Sequence, residues 1–265
     1  MRASLIRGFP PLVKVVLFAA AVAVCILGYL FLLSLLRNIL LGSALAATFL
    51  AFACLALNLG FLRSEGSSLA SIGLNAPGWR LRQFLTAFIA GAVLVALWAL
   101  IVAGLSSSRP ILAEGVGRAA LPGLLIFYVF NNAAEELAYR AYALLALEKA
   151  YGRFIAIVGT SAAFTLMHMQ GGMPWLQALA GTLTNALIFG MLFYRWKSLP
   201  LTLGFHLATN VMQDVLGLRQ SALTLLSWTR VDTSGARGVA ILILVAAINL
   251  SVVAFLGRVK RTKHG

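Results

Sequence analysis

Two adjacent carboxylates and an arginine lie in a stretch of sequence that is otherwise apolar. The stretch reads Phe130-Asn-Asn-Ala-Ala-Glu135-Glu136-Leu-Ala-Tyr-Arg140. Each such charge costs about 2.5–3.5 kcal/mol at the centre of a membrane helix, so membrane proteins keep charges where they pair, line a wet cavity or do chemistry. Glu136 and Arg140 are four residues apart and can pair on one helix face, whereas Glu135 has no basic partner on its helix. The spacing favours one structural and one reactive carboxylate, with two structural carboxylates as the alternative.

Two of the three histidines also fall inside apolar stretches. His168 ends the stretch Phe164-Thr-Leu-Met-His168, and His206 begins the stretch His206-Leu-Ala-Thr-Asn210. His264 lies in the basic C-terminal tail, where solvation accounts for it. His206 and Asn210 are four residues apart and therefore point the same way from a helix. A single buried histidine is usually a packing residue, but two of them beside a buried glutamate pair favour a catalytic site.

These side chains suit hydrolysis by an activated water. A carboxylate near a histidine can take a proton from water, and a histidine with an asparagine on one helix face can donate to a developing oxyanion. The sequence has no Gly-x-Ser-x-Gly elbow and no His-Glu-x-x-His helix. A di-iron bundle would need Glu-x-x-His pairs, and residue 138 is Ala138. A zinc site made of Glu135, His168 and His206 remains possible in principle.

Composition places these residues in a membrane. Of the 265 residues, 61% are hydrophobic and 11% are charged, against about half and a quarter in soluble domains. The two cysteines, Cys25 and Cys54, lie inside apolar runs and form no disulfide framework. We expect an all-α polytopic membrane protein with a buried polar active site. About eight apolar segments approach the roughly 20 residues that a spanning helix needs, at about residues 12–36, 39–62, 83–105, 119–146, 153–169, 175–195, 198–217 and 238–257.

The segments divide into three regions of one membrane domain. Residues 1–118 are expected to hold N-terminal transmembrane helices and a cytoplasmic loop, residues 119–217 the catalytic helices, and residues 218–265 a last transmembrane helix and a basic tail. The first segment is longer than the 7–15 apolar residues of a signal peptide, which favours a retained helix. The polar stretch from Arg63 to Arg82 carries turn signals and predicts a loop with a short interfacial helix.

Charge predicts the orientation and the surroundings. With eight spans, the larger share of the 21 Lys and Arg residues lies on the side of the two termini, so both termini are expected in the cytoplasm. The net charge of +14 is spread between apolar runs, not clustered as in a nucleic-acid-binding domain. The expected partners are therefore the lipid bilayer and its anionic lipids, not nucleic acid.

Together the three motifs resemble the CPBP family of glutamic intramembrane proteases, which includes CAAX proteases and bacteriocin-processing enzymes and is also called the Abi family. The family pattern is Glu-Glu-x-x-x-Arg, then Phe-x-x-x-His, then His-x-x-x-Asn or Asp, on successive membrane helices. This sequence has all three patterns in order, with helix-sized gaps. The resemblance covers roughly residues 119–217, and the remaining segments match only as generic membrane helices.

The resemblance implies a role for each motif residue and no metal or other cofactor. Glu135 would activate the hydrolytic water with help from His168, while His206 and Asn210 would stabilise the oxyanion. The second glutamate and the arginine would shape the site. The substrate would be a membrane-associated protein or peptide; eukaryotic members remove the last three residues of prenylated CAAX proteins, and bacterial members are more varied. The Ala- and Leu-rich composition favours a protein of the bacterial inner membrane.

Two other functions stay open on the sequence alone. Buried Glu, Arg and His residues also form proton relays in transporters, although no inverted repeat supports that function here. A member of the family can also lack protease activity and act as a bacteriocin-immunity or scaffold protein.

Two features next to the motifs carry weaker expectations. The loop Met169-Gln-Gly-Gly-Met-Pro174 directly follows His168 and is either a gate or a tight interhelical turn. Asp214 lies one turn beyond Asn210 and is expected at the membrane interface.

Overall fold

A computed structural model of the chain describes residues 8–39, 41–74, 77–106, 109–113, 121–219, 221, 223–228 and 235–260. Apolar helices dominate these ranges, as expected for an all-α membrane protein. The α-helices are α1 (Pro11–Leu35), α2 (Gly42–Ser64), α3 (Pro77–Ser106), α4 (Leu121–Glu136), α5 (Tyr142–Gln170), α6 (Trp175–Gln177), α7 (Thr184–Trp196), α8 (Leu199–Val215) and α9 (Gly235–Arg258). Two π-helical segments, Leu137–Ala141 and Ala178–Leu183, precede α5 and α7.

Six helical stretches in the described ranges are long and apolar enough to cross a membrane. This confirms a polytopic α-helical membrane protein. The fourth stretch runs for 50 residues, from Leu121 to Gln170, but Gly152 within it has φ 82° and ψ 171°, which interrupts the helix. α8 has 17 residues and is not among the six. A count of eight is reached only if Gly152 divides the fourth stretch and α8 is added.

The loops differ in detail from the expectations. The stretch between Arg63 and Arg82 contains the expected short helix, a 3-10 turn at Leu69–Ile72, but α3 already begins at Pro77. Two short strands, β1 (Pro110–Leu112) and β2 (Leu226–Trp228), pair antiparallel. Strands of three residues show no period-2 pattern that would have predicted them.

Helix α8 is held tightly against α3. A Cβ atom added at Gly204 of α8 would lie 2.2 Å from the Phe84 carbonyl oxygen of α3, and one added at Gly91 of α3 would lie 2.7 Å from the Phe205 carbonyl oxygen. Glycine therefore lets the two backbones touch, as small residues do between membrane helices. The Ser198 hydroxyl caps the start of α8 by accepting from the Leu201 amide at 3.4 Å, which fixes where the helix begins.

The described helices pack into three buried apolar clusters. The largest joins α1, α2, α4 and α5 with residues of α7 and α8, and it includes Leu137. The second joins α3, α7, α8 and α9 and includes Phe189, and a small third cluster joins α4 to α8. Both cysteines are free, and Cys54 is buried in the largest cluster. The motif residues lie between the first two clusters, because Leu137 directly follows the glutamate pair and Phe189 packs on His206.

Candidate active site

The second glutamate of the pair and the arginine form a buried ion pair. Glu136 ends α4 and Arg140 lies in the π-helical segment that follows. Both side chains are completely buried, and Arg140 Nη1 lies 3.5 Å from Glu136 Oε1, as the four-residue spacing predicts. Tyr128 and Asn132 continue the same face of α4 and are also buried. This face of α4 packs against α8.

His206 of α8 bridges the two glutamates. Its Nδ1 lies 2.8 Å from Glu136 Oε1, and its Nε2 lies 3.4 Å from Glu135 Oε2. The ring stacks on Phe189 of α7, with centroids 4.3 Å apart and planes inclined by 27°. A carboxylate on one ring nitrogen fixes the ring orientation and the tautomer. We therefore assign the Nδ1 proton to the hydrogen bond with Glu136, which leaves Nε2 directed at Glu135.

Glu135 is oriented from one side only. Asn131, one turn earlier on α4, donates from Nδ2 to Glu135 Oε1 at 2.9 Å. The other oxygen, Oε2, is buried and has no hydrogen-bond partner among the described protein atoms. A carboxylate oxygen that is aimed at a histidine and is otherwise unbonded is available to a reacting group.

Arg140 is enclosed by aromatic rings instead of hydrogen-bond acceptors. Its guanidinium carbon lies 4.4 Å from the ring centroid of Phe164 and 5.2 Å from that of Phe189. Within the described part of the chain, none of its three guanidinium nitrogens has a hydrogen-bond partner. Its positive charge is therefore balanced by the nearby carboxylate and by the faces of the two rings.

Asn210 is tied to α4. Its Nδ2 donates to Asn132 Oδ1 at 2.5 Å, and Asn132 in turn donates to the Tyr128 carbonyl oxygen at 2.7 Å. The Asn210 amide group has a second N–H. It can therefore hold its position against α4 and still donate elsewhere.

His168 lies beside the cluster without joining it. Its Nδ1 is 3.0 Å from the Phe164 carbonyl oxygen, and its ring centroid lies 4.3 Å from that of Phe164. Among the residues that the structure describes, His168 forms no ion pair with either glutamate, whereas His206 contacts both. The histidine that contacts Glu135 in the structure is therefore His206. The expected assistance of Glu135 by His168 stays a prediction.

The loop after His168 and the side chain of Asp214 both lie next to motif residues in the sequence. The loop after His168 forms a hydrogen-bonded turn, in which the Met173 amide donates to the His168 carbonyl oxygen at 3.1 Å; this supports a tight turn. Asp214 lies at the C-terminal end of α8, and its side chain is completely buried within the protein. Its position at the membrane interface stays a prediction. Asp214 accepts hydrogen bonds from the Tyr128 hydroxyl and from Arg219 Nε at 2.6 Å. The i, i+4 spacing from Asn210 indicated that Asp214 lies on the same face of α8. The partner that allows its burial, Arg219, lies beyond the end of the helix, so helix spacing did not reveal it.

One functional candidate had no signal in the motifs. Asn58 of α2 is completely buried and binds the backbone next to the glutamate pair. A single asparagine in an apolar run has no spacing partner that would distinguish it.

The comparisons with known proteins bear on the same region. Residues 117–212 match the family model described as type II CAAX prenyl endopeptidase Rce1-like. The match confirms the resemblance to the CPBP family over these residues. The matched segment contains all of α4 and most of α8, and all three motifs lie inside it. No curated protein and no solved structure matches the chain significantly.

Proposed function

We propose that the chain is an intramembrane endopeptidase that hydrolyses peptide bonds of membrane-associated proteins or peptides with a water activated by Glu135. The observation that carries this proposal is the position of Glu135 Oε2. It is buried, has no hydrogen-bond partner among described protein atoms, and lies 3.4 Å from His206 Nε2. A water held by Glu135 next to this histidine is placed for general-base catalysis.

The reaction follows from these positions. Glu135 removes a proton from water while the water oxygen attacks the carbonyl carbon of the scissile bond. The carbonyl oxygen becomes an oxyanion, which is stabilised by hydrogen bonds from the second amide N–H of Asn210 and from Nε2–H of a protonated His206. Glu135 then gives its proton to the leaving amine as the carbon–nitrogen bond breaks. The products are a carboxylic acid, which keeps the second proton of the water, and an amine, and Glu135 is regenerated as a carboxylate.

Glu136 and Arg140 support His206 in this scheme. Glu136 Oε1 accepts from Nδ1 of His206 at 2.8 Å, so Glu136 holds the ring with Nε2 directed at the reacting groups. Arg140 Nη1, 3.5 Å from Glu136 Oε1, supplies the counter-charge of the Glu136 carboxylate. His168 would assist from the side of Phe164, as a positioning or proton-transferring group.

The test uses two peptide probes with purified protein in nanodiscs. One probe is an internally quenched peptide that ends in a farnesylated Cys-a-a-X sequence, the substrate class that the family description names. The other is an unprenylated transmembrane peptide. We expect the protein to cleave at least one probe at a defined bond, identified by mass spectrometry, and Glu135→Gln to cleave neither. A folded wild-type protein that cleaves neither probe would contradict an endopeptidase of these substrate classes.

A transport function is the second candidate, and one observation favours it. His206 connects Glu135 and Glu136 into a row of titratable side chains, with Nε2 3.4 Å from Glu135 Oε2 and Nδ1 2.8 Å from Glu136 Oε1. Chains of acidic residues and histidine relay protons in pumps and transporters. Proteoliposomes that contain a pH-sensitive dye test this function directly. Proton flux without any peptide, lost in Glu135→Gln, would favour a transporter over a protease.

We also propose eight spans, with both termini in the cytoplasm of a bacterial cell and the protein in the inner membrane. The non-helical backbone at Gly152 supports dividing the fourth stretch into two spans. Helix α8 packs against α3 and α4, which supports counting it as a span as well. A reporter that is active only outside the cytoplasm should stay silent when fused at Gly265. The same reporter inserted after residue 113 should be active. A signal at Gly265 would mean an odd number of spans.

A further inference from the structure

The backbone is irregular next to the catalytic glutamates. The segment Leu137–Ala141 is a π-helix, and Ala141 has φ −68° and ψ −100°, outside the helical region. Such single π-turns inside α-helices often occur at functional sites. Here the turn contains Arg140 and directly follows Glu136.

Asn58 of α2 fills the break in the backbone ladder. Its Nδ2 donates to the Leu137 carbonyl oxygen at 2.9 Å, and its Oδ1 accepts from the Tyr142 amide at 2.9 Å. The second hydrogen of Nδ2 goes to the Cys54 carbonyl oxygen of its own helix at 2.8 Å. One side-chain amide thus bonds both ends of the π-helical segment, and both of its donors are used.

These two bonds control the direction of the active-site side chains. Leu137 directly follows Glu136, and Tyr142 lies two residues after Arg140. An α-helix turns by about 100° per residue, so removing the extra residue of a π-turn would rotate everything on one side of it by that angle. Glu136 lies in α4 before the turn and Arg140 lies within it. The irregular turn therefore sets how Arg140 and the residues after it are oriented relative to Glu136.

We propose that Asn58 is a positioning residue of the active site. It holds the π-turn in place and so orients Arg140 against Glu136, the carboxylate that bonds His206. The proposal rests on the proposed protease function for its kinetic consequence, but its structural content does not. Asn58 lies outside residues 117–212, the segment that matches the family model. The proposal therefore assigns to α2, in the N-terminal region, a role in positioning the active site.

The test compares Asn58→Leu with a matched control, Asn249→Leu. Asn249 of α9 is also completely buried and also bonds another helix, through Thr184 Oγ1 at 2.8 Å, but it does not touch the π-turn. The first measurement is hydrogen exchange by mass spectrometry on the peptide that covers residues 137–142. We expect faster exchange of this peptide in Asn58→Leu, and wild-type exchange there in Asn249→Leu. This measurement does not depend on activity.

The second measurement is cleavage of whichever peptide probe the wild-type protein accepts. We expect kcat to fall about 10²-fold in Asn58→Leu with KM within about 2-fold, because a displacement of about 1 Å at a catalytic group has that effect. Asn249→Leu should keep kcat within about 2-fold even where its melting temperature falls. A wild-type protein without activity would count against the proposed function, whereas unchanged exchange at residues 137–142 in Asn58→Leu would overturn the role of Asn58.

A conservative variant covers the case in which Asn58→Leu does not fold. Asn58→Asp has the same shape, and in its neutral form the carboxyl group offers one donor and one acceptor. It should therefore keep both bonds to the π-turn, and most of the activity, at the acidic end of the pH range in which the wild type is active. As the carboxyl group ionises, the donor to Leu137 is lost and kcat should fall at alkaline pH at which wild-type activity persists. A pH profile identical to that of the wild type would contradict the proposal.

Discussion

Two polar clusters lie at different positions along the interface between α4 and α8, and we call them the inner and the outer cluster. The inner cluster consists of Glu135, Glu136, Arg140 and His206. The outer cluster consists of Tyr128, Asp214 and Arg219. Both contain a fully buried carboxylate paired with an arginine. Residue types alone therefore do not distinguish a structural cluster from a reactive one. The two clusters differ in how many of their buried polar atoms have hydrogen-bond partners.

The outer cluster is satisfied. Asp214 uses both carboxylate oxygens, one for the Tyr128 hydroxyl and one for Arg219 Nε. Arg219 Nη2 also donates to the Tyr128 hydroxyl at 3.1 Å and to the Asn210 carbonyl oxygen at 3.3 Å. The side chain of Arg219 is 46% exposed, so water reaches the rest of its guanidinium. Among the described residues, no buried side-chain polar atom of this cluster lacks a hydrogen-bond partner, and the cluster fastens α8 to α4.

The inner cluster is left incomplete. One oxygen of each glutamate and all three guanidinium nitrogens of Arg140 lack a hydrogen-bond partner among the described protein atoms. Each such buried group costs roughly 1–3 kcal/mol. Proteins keep costs of this kind mainly at sites where they serve a function. The comparison therefore predicts large effects on activity from the inner cluster and small effects on stability from the outer one.

Glu135→Gln should have the largest effect on activity. Glutamine keeps the oxygen that accepts from Asn131 at 2.9 Å but cannot act as a base. We expect kcat to fall roughly 10³-fold, within the range that general-base catalysis contributes, while the protein accumulates normally in the membrane. The measurement is cleavage of the peptide probe beside a quantitative blot of the membrane fraction. More than a tenth of wild-type activity would remove Glu135 from the role of base.

Glu136→Gln should affect folding more than the chemical step. It leaves Arg140 buried without its counter-charge, and breaking a buried ion pair costs about 3–5 kcal/mol. Glutamine still offers an oxygen to His206, so the folded fraction should keep part of its activity. We expect low yield and a lower melting temperature in detergent. Equal loss of activity with normal yield in Glu135→Gln and Glu136→Gln would contradict this division between the two carboxylates.

Sequence reasoning found the inner cluster because Glu136 and Arg140 are four residues apart and because charged residues and His206 lie in apolar segments. The pairing of Glu136 with Arg140 and the common face of Tyr128, Asn132 and Glu136 follow from helix periodicity alone. The contact between His206 and both glutamates does not, since it depends on how α8 packs against α4. The role of His168 as the helper of Glu135 came from the resemblance to the CPBP family, not from helix spacing, and it stays a prediction for the chemical step.

The elements that the sequence missed depend on contacts between distant segments. The segment expected as one helix over 119–146 contains a π-turn, which Asn58 stabilises from 79 residues away in the chain. The burial of Asp214 depends on Arg219, which folds back from beyond the end of α8. Neither contact leaves a periodic signal. Apolar composition, in contrast, predicted the helices well, because length and hydropathy alone decide them.

Asp214→Asn should have a small effect, confined to stability. The substitution keeps the size of the side chain and removes the charge that faces Arg219. We expect about 1–2 kcal/mol of lost stability, reduced from the value for a charged hydrogen bond because Arg219 is partly exposed. Cleavage per folded molecule should stay within about 3-fold of the wild type. A loss as large as that of Glu135→Gln, with an unchanged melting temperature, would show that the outer cluster takes part in the chemical step.

A chelator should have the smallest effect, because we expect it to leave the activity unchanged. In the described ranges, no three His, Cys, Asp or Glu side chains converge as metal ligands. His168 directs Nδ1 at the Phe164 carbonyl oxygen, and the fully buried charge of Arg140 lies beside Glu136, where it would repel a cation. We therefore expect purified protein to keep its activity in excess EDTA and to carry no stoichiometric metal by elemental analysis. One zinc per chain, with activity lost on chelation and restored by zinc, would make Glu135, His168 and His206 metal ligands. The incomplete bonding of the inner cluster would then reflect a metal site instead of a water-activating carboxylate.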